Sequence, residues 1–220
     1  MKLGRKGLIV GAAAIVLLGG ASLAVAQLTG FSEERADIDS AAVCKALGGG
    51  DDIVAALRDA LPDASNYTFQ DTDKVRSDPR NSSFNSDCSV WVDGKTALVT
   101  SAEMMRSDPP ELWREGVVAD NESLSAGQAR DFSAGDSALS GDSFAAIYVP
   151  CVPSGTIPGG NYSLSVQVRA VQRSAAPADA AQQSLVKLVL SAAEHAHKQA
   201  KCDLPSKLPS EVPVISPASG

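Results

Sequence analysis

Two serines in the middle of the chain are the residues whose setting most suggests chemistry. Ser137 and Ser143 each end a Gly-Asp-Ser tripeptide, and both tripeptides lie within residues 135–143. A serine hydroxyl acts as a nucleophile in acyl transfer when a nearby imidazole accepts its proton. His195 and His197 are the only histidines in the chain, so a serine hydrolase mechanism would have to use one of them.

The Gly-Asp-Ser pattern resembles the nucleophile motif of the Gly-Asp-Ser-Leu hydrolases, which implies a secreted serine hydrolase as one candidate function. In that family the motif directly follows an apolar strand near the start of the domain, and a late Asp-x-x-His block supplies the base. Here residues 129–134 before the first tripeptide are polar, and residues 194–197, the nearest late block, begin with glutamate. These departures favour the alternative, in which both tripeptides are turns that lead into a strand.

The two histidines cannot form a metal site together. Residues two apart on a helix point about 200° apart, so His195 and His197 face different directions. His195 falls on an apolar helical stripe and is expected to be a partly buried, hydrogen-bonded packing residue. His197 is expected to face solvent near the C-terminus of that helix. The cysteines are spaced too widely for a zinc site, so we expect neither a metal nor a cofactor.

The N-terminus has the composition of an export signal. Lys2, Arg5 and Lys6 precede residues 7–26, which are uncharged and almost purely apolar. At about 1.5 Å per residue, that segment is long enough for the roughly 30 Å hydrocarbon core of a bilayer. The segment ends in small residues that fit a signal peptidase site, while its basic flank keeps the start of the chain cytoplasmic. Residues 1–26 are therefore predicted to be a cleaved signal peptide or an uncleaved transmembrane anchor, and both remain open.

The four cysteines agree with export, because all of them follow the apolar segment. An even number of cysteines on the oxidising side of a membrane predicts two disulfide bonds. We favour Cys44–Cys88 together with Cys151–Cys202, because each of these bonds would join a predicted helix to a predicted strand. The other two connectivities remain open at this point.

The charge of the chain argues against nucleic acid as a partner. The chain has 19 basic and 26 acidic residues, and three of the basic residues but none of the acidic ones lie in residues 1–26. The exported part therefore has 16 basic residues against 26 acidic ones, a net charge of −10. Such a charge favours solubility and opposes binding to nucleic acid or to an anionic membrane surface. The membrane is a partner only through an uncleaved N-terminal segment.

Apolar periodicity predicts a first half in which helices precede a hairpin. Residues 39–47 are expected to form a short helix. A second helix is expected within residues 48–62, after the glycine turn 48–50 and before Pro62, which ends it. Asp93-Gly94 separates two β-rich runs and favours a tight hairpin turn, because this pair accepts positive φ angles. Trp91, in the first of these strands, is expected to pack against a helix.

A second half follows a weakly patterned middle that contains one short helix. Residues 144–150 form a continuous apolar run, which is typical of a strand covered on both faces. Residues 161–171 alternate strictly, which predicts one buried and one solvated face; a turn-rich connection predicts antiparallel pairing of the two strands. Residues 178–201 predict the longest helix, with a buried stripe that includes His195 and Gln199.

These elements predict an α+β fold in which an antiparallel sheet packs with helices. We expect two helix-plus-sheet halves, stapled by two disulfides and preceded by the N-terminal apolar helix. Residues 27–36 are expected to be a spacer, residues 37–203 the extracytoplasmic domain, and the proline-rich residues 204–220 an extended or disordered tail.

The layout of export segment, alanine-rich helices, four cysteines and proline-bearing tail resembles small exported proteins of unknown function from high-GC Gram-positive bacteria. Many of these pair a helix cysteine with one that begins a strand, as Cys44 and Cys88 would here. The resemblance implies a surface-displayed α+β domain, although this chain lacks the cysteine that accepts a lipid in the lipid-anchored forms. We therefore expect an exported or membrane-anchored domain with a non-catalytic binding or accessory function at the cell envelope. Its ligand, an envelope or extracellular molecule or protein, is not identified by the sequence, and a secreted hydrolase using Ser137 or Ser143 is the alternative.

Overall fold

The structure is a computed structural model that describes residues 35–76, 83–121, 129–152 and 162–215. Residues 1–26 and the spacer up to residue 34 lie outside the described residues. Within the four described ranges, no helix combines the length and the apolar composition needed to cross a bilayer. The signal peptide or anchor in residues 1–26 therefore stays a prediction.

One antiparallel sheet of seven strands organises the domain. The strands are β1 (Tyr67–Arg76), β2 (Ser83–Val92), β3 (Lys95–Arg106), β4 (Arg130–Asp131), β5 (Ser137–Gly141), β6 (Phe144–Pro150) and β7 (Tyr162–Ala170). Their order across the sheet is β1-β2-β3-β7-β6-β5-β4, and each neighbouring pair is antiparallel. Because β3 pairs with β7, the two predicted halves merge into one continuous sheet rather than forming two separate ones.

The helices are α1 (Asp51–Ala60), α2 (Pro110–Asp120) and α3 (Ala178–Gln199). The sheet and these three helices confirm the predicted α+β class. The helix expected over residues 39–47 is reduced to a single 3-10 turn, Lys45–Leu47. It ends at once because Gly48 adopts a φ of +90°, outside the helical region.

The helices cover the two faces of the sheet unequally. Helices α1 and α3 pack on one face and form the main core with the inward side chains of β2, β3, β6 and β7. Helix α2 packs on the other face through Trp113 and Val117, over Leu139, Phe144 and Tyr148 of β5 and β6. Strand β6 is therefore buried along its whole length, as its continuous apolar run predicted.

The expectation that Trp91 packs against a helix is wrong. Val90 and Val92 point into the main core, so the intervening Trp91 points to the opposite face. On that face α2 covers β5 and β6 rather than β2, and the Trp91 side chain is 37% exposed. The buried tryptophan is Trp113, which belongs to α2, packs against the sheet and is 5% exposed.

Two details of the predicted burial also differ from the structure. Gln199 is exposed, because the buried stripe of α3 continues through Ala196 and Ala200 instead. Ser163, expected on the solvated side of β7, is buried and shares a hydrogen bond of 2.8 Å with the Ser107 hydroxyl. Elsewhere β7 alternates as predicted.

Both disulfides are present in the pairing that the sequence favours. Cys44 is bonded to Cys88, which ties the 3-10 turn to β2. Cys151 is bonded to Cys202, which ties the chain just after α3 to the end of β6. The described part of the chain has no free cysteine.

The proline-rich segment lies extended against α3 and the main core over residues 204–215. The Gln183 side chain donates a hydrogen bond of 2.7 Å to the Pro213 carbonyl, and the Ile215 amide donates to Gln183 Oε1 at 3.1 Å. Leu208 and Ile215 also pack against the main core. Proline prevents helix and strand ladders here, yet these contacts hold the segment on α3.

Candidate functional site

The two Gly-Asp-Ser tripeptides lie at the two ends of one strand. Ser137 begins β5, and Ser143 is the second residue of the two-residue turn between β5 and β6. Gly135 has a φ of +61°, and a Cβ atom at this position would overlap the Tyr148 carbonyl oxygen. The backbone therefore requires glycine at residue 135, which gives the first tripeptide a structural reason.

Ser143 lies far from both histidines. It precedes β6, whereas the Cys151–Cys202 bond holds the chain after α3 at the opposite end of that strand. Seven residues of β6 span about 23 Å at about 3.3 Å per residue. His195 and His197 lie at the end of α3 that this bond holds, so neither imidazole reaches the Ser143 hydroxyl.

Ser137 is separated from the histidines by the sheet itself. Ser137 pairs with Tyr148, and directly opposed residues of antiparallel strands share a face. Tyr148 belongs to the cluster under α2, whereas α3 packs on the other face. Neither serine is therefore placed beside the base that acyl transfer needs.

The histidines have structural surroundings. His195 is half-buried, as its position on the helix predicted. His197 is also half-buried rather than simply facing solvent, and its Nε2 atom lies 2.8 Å from the Leu204 carbonyl oxygen. That contact fastens the start of the C-terminal segment to α3.

A carboxylate lies beside one disulfide without making a metal site of it. The ligand-type atoms of Cys44, Asp71 and Cys88 lie within 4.8 Å of one another. The two sulfurs are bonded to each other, however, and are not thiolate ligands. The Asp71 carboxylate instead accepts a hydrogen bond of 2.8 Å from the Lys45 amide at the 3-10 turn.

A cavity of about 970 Å³ opens where β7 leads into α3, and we call it the β7–α3 cavity. Its polar lining comes from three places: the β5–β6 turn, the end of α2, and the segment from β7 to α3. Ser143 is in this lining, and no histidine is among the described residues that form it. The volume lies at the upper end of the range for small-molecule sites, about 300–1,000 Å³.

The charged lining is balanced. Arg169 and Arg173 contribute two positive charges, and Asp120 and Asp142 contribute two negative ones. None of these four side chains forms an ion pair or a hydrogen bond with another described residue. By contrast, Arg58 beside a smaller cavity of about 420 Å³ is already paired with Asp37.

The rest of the lining is small or apolar. Ala170 and Val171 come from β7 and the residue after it, and Ala178, Ala181 and Leu185 from the first turns of α3. Small side chains leave the cavity its volume, and the aliphatic ones give a ligand an apolar surface to cover. No aromatic side chain is among the described lining residues, so stacking on a sugar or a base is not provided by them.

Sequence reasoning missed this site. It placed Arg169 on the solvated face of β7, where it is, and Asp142 in a turn that leads into a strand, but it gave no role to Arg173 or Asp120. The tripeptide at Ser143 was the one signal that fell on the cavity. The four charged residues come from three segments between positions 120 and 173, so no local spacing brings them together.

Comparison with known proteins finds no matching family model, no matching curated protein and no matching solved structure.

Proposed function

We propose that the chain is an exported or membrane-anchored extracytoplasmic domain with a non-catalytic binding function at the cell envelope, and that it binds its ligand in the β7–α3 cavity. The observation that carries the proposal is the cavity itself, with four charged side chains that no described residue neutralises. Charged groups without partners at a concave surface are available to a ligand.

The location outside the cytosol is supported by the cysteines. Two disulfides with no free cysteine among the described residues are typical of oxidising compartments. The basic and apolar composition of residues 1–26, and the likeness in layout to small exported bacterial proteins, support the same location.

Photo-crosslinking in cells tests the binding function. Val171 lines the cavity and is 53% exposed, so a benzophenone amino acid at this position samples the ligand without disturbing the core. Leu112 on α2 is 57% exposed and outside the lining, and it serves as the matched control. We expect an adduct with envelope material from the Val171 variant and none from the Leu112 variant; equal adducts, or none from Val171, would contradict the proposal.

The hydrolase alternative is retained because Ser143 lies in the cavity lining. A fluorophosphonate probe labels serines that a base has activated. We expect no labelling of Ser143 or Ser137, because neither has an imidazole within reach. Labelling that is lost in the Ser143→Ala variant would replace the binding function with a catalytic one.

A further inference from the structure

We infer that the β7–α3 cavity binds a zwitterionic, peptide-like ligand, one that presents a carboxylate and an ammonium group on a small aliphatic body. This inference rests on the proposed function and specifies its ligand class.

The basic part of the site is formed by Arg169 and Arg173. They lie four residues apart: Arg169 is in the terminal residue pair between β6 and β7, and Arg173 is in the connection to α3. A guanidinium group presents a planar fork of donors that matches a carboxylate, and a bond between two such charged groups is stronger than a neutral one. Because neither side chain is used by a described residue, both can turn to a bound carboxylate.

The acidic part of the site is formed by Asp120 and Asp142. These come from the end of α2 and from the β5–β6 turn, so they belong to segments other than those that carry the arginines. They oppose a ligand that has only negative charges, because like charges in one site repel. They favour a ligand that also carries an ammonium group, which donates three hydrogen bonds.

The remaining lining fits the body of such a ligand. Ala170, Val171 and Leu185 offer aliphatic surface, and the Ser143 hydroxyl can both donate and accept a hydrogen bond. A short peptide with small side chains has this combination of charged ends, amide groups and aliphatic surface. A nucleotide has excess negative charge, and a neutral sugar would leave all four charges unpaired.

The experiment is a calorimetric titration of the full-length chain, purified in a mild detergent, with trialanine as the probe. Four forms are compared: free trialanine, its C-terminal amide, its N-acetyl form, and the form with both ends capped. We expect free trialanine to bind and each singly capped form to bind about tenfold more weakly, the loss for one charge-assisted hydrogen bond.

Variants then assign the two ends. Arg173→Gln should weaken the binding of free trialanine about tenfold and abolish the preference for the free carboxylate over the amide. Asp142→Asn should do the same for the preference for the free ammonium over the acetyl form. Arg106→Gln, an exposed arginine outside the lining, removes the same charge and should leave all four affinities unchanged.

The inference is overturned if the doubly capped form binds as tightly as free trialanine, or if none of the four forms binds at millimolar concentration. It is also overturned if Arg106→Gln weakens binding as much as Arg173→Gln. Crosslinking from Val171 in cells together with any of these results leaves the proposed function standing and removes only the ligand class. If the titration gives the expected affinities but Val171 forms no crosslink in cells, the ligand class stands and the proposed function at the envelope is contradicted.

Discussion

Replacing Trp113 by alanine should release α2 from the sheet. The indole is 5% exposed, stacks on Tyr148 with ring centroids 5.1 Å apart, and donates from Nε1 to the Ser165 hydroxyl at 2.9 Å. Burial of about 200 Å² at about 25 cal/mol per Å² corresponds to about 5 kcal/mol, an upper estimate. Measured Trp→Ala losses in cores are about 3–5 kcal/mol, which we take as the expected decrease in the free energy of unfolding.

The assay is thermal and urea unfolding, with Trp91→Ala as the matched control. For a domain of about 150–250 residues, 1 kcal/mol lowers Tm by about 2–4 °C, so Trp113→Ala should lower Tm by about 6–20 °C. Trp91 is 37% exposed, and α2 covers β5 and β6 rather than its strand, so its replacement should cost about 1–2 kcal/mol. Since the chain has two tryptophans, the Trp91→Phe variant also reports on Trp113 alone, and its emission should resist quenching by acrylamide.

Equal losses from the two alanine variants would refute the placement of α2. So would a loss below about 1 kcal/mol at Trp113, since surface substitutions cost about 0.5 kcal/mol or less. The end of α2 supplies Asp120 to the β7–α3 cavity. Trp113→Ala should therefore also weaken ligand binding at temperatures where the variant remains folded.

Three further predictions concern the frame that holds the site. Replacing both Cys151 and Cys202 by serine opens a loop with a sequence separation of 51 residues and should cost about 4 kcal/mol in urea unfolding; a loss below about 1 kcal/mol would contradict the tie between α3 and β6. Gly135→Ala should lower Tm more than Gly94→Ala. Both glycines have positive φ, but only at residue 135 would the added Cβ overlap a carbonyl oxygen, so the reverse order would refute this reasoning. Thr100→Val should raise the free energy of unfolding by about 1 kcal/mol, because the buried Thr100 hydroxyl finds no partner among the described residues; a clear loss would show that the hydroxyl is hydrogen-bonded after all.

The elements that the sequence predicted well are those whose pattern reflects burial. Strand β6 is apolar throughout because both of its faces are covered, and α3 repeats its apolar residues at helical spacing along the main core. The Asp93-Gly94 turn was predicted because this residue pair accepts positive φ angles. In the structure the two residues adopt φ values of +47° and +76°. In each case one local physical requirement determines the residue type.

Strand β1 was missed because acidic residues follow Tyr67 and Phe69 on its inward side. Asp71 and Asp73 point to the same face as the main core, but each is at the sheet edge and accepts hydrogen bonds there. The Asp73 carboxylate accepts from the Ser86 hydroxyl at 2.5 Å. Charged residues on an edge strand also discourage pairing with another chain, which removes the apolar alternation that marks other strands.

The site was missed for a different reason. Its charged residues come from α2, the β5–β6 turn and the end of β7, and they meet only because β7 pairs with β6 in the sheet. The turn-rich connection between the two strands predicts that pairing, but the position of α2 depends on Trp113, which has no distinctive spacing around it. A sequence pattern can indicate an element, whereas a cavity between elements depends on how all of them pack.

The most direct test of the account is a non-reducing peptide map of the chain taken from intact cells after blocking free thiols with a membrane-permeant alkylating reagent. The account predicts Cys44 linked to Cys88, Cys151 linked to Cys202, and no alkylated cysteine. Four alkylated cysteines on a chain recovered from the cytosol would contradict both the proposed compartment and the bonds that hold the sheet to its helices.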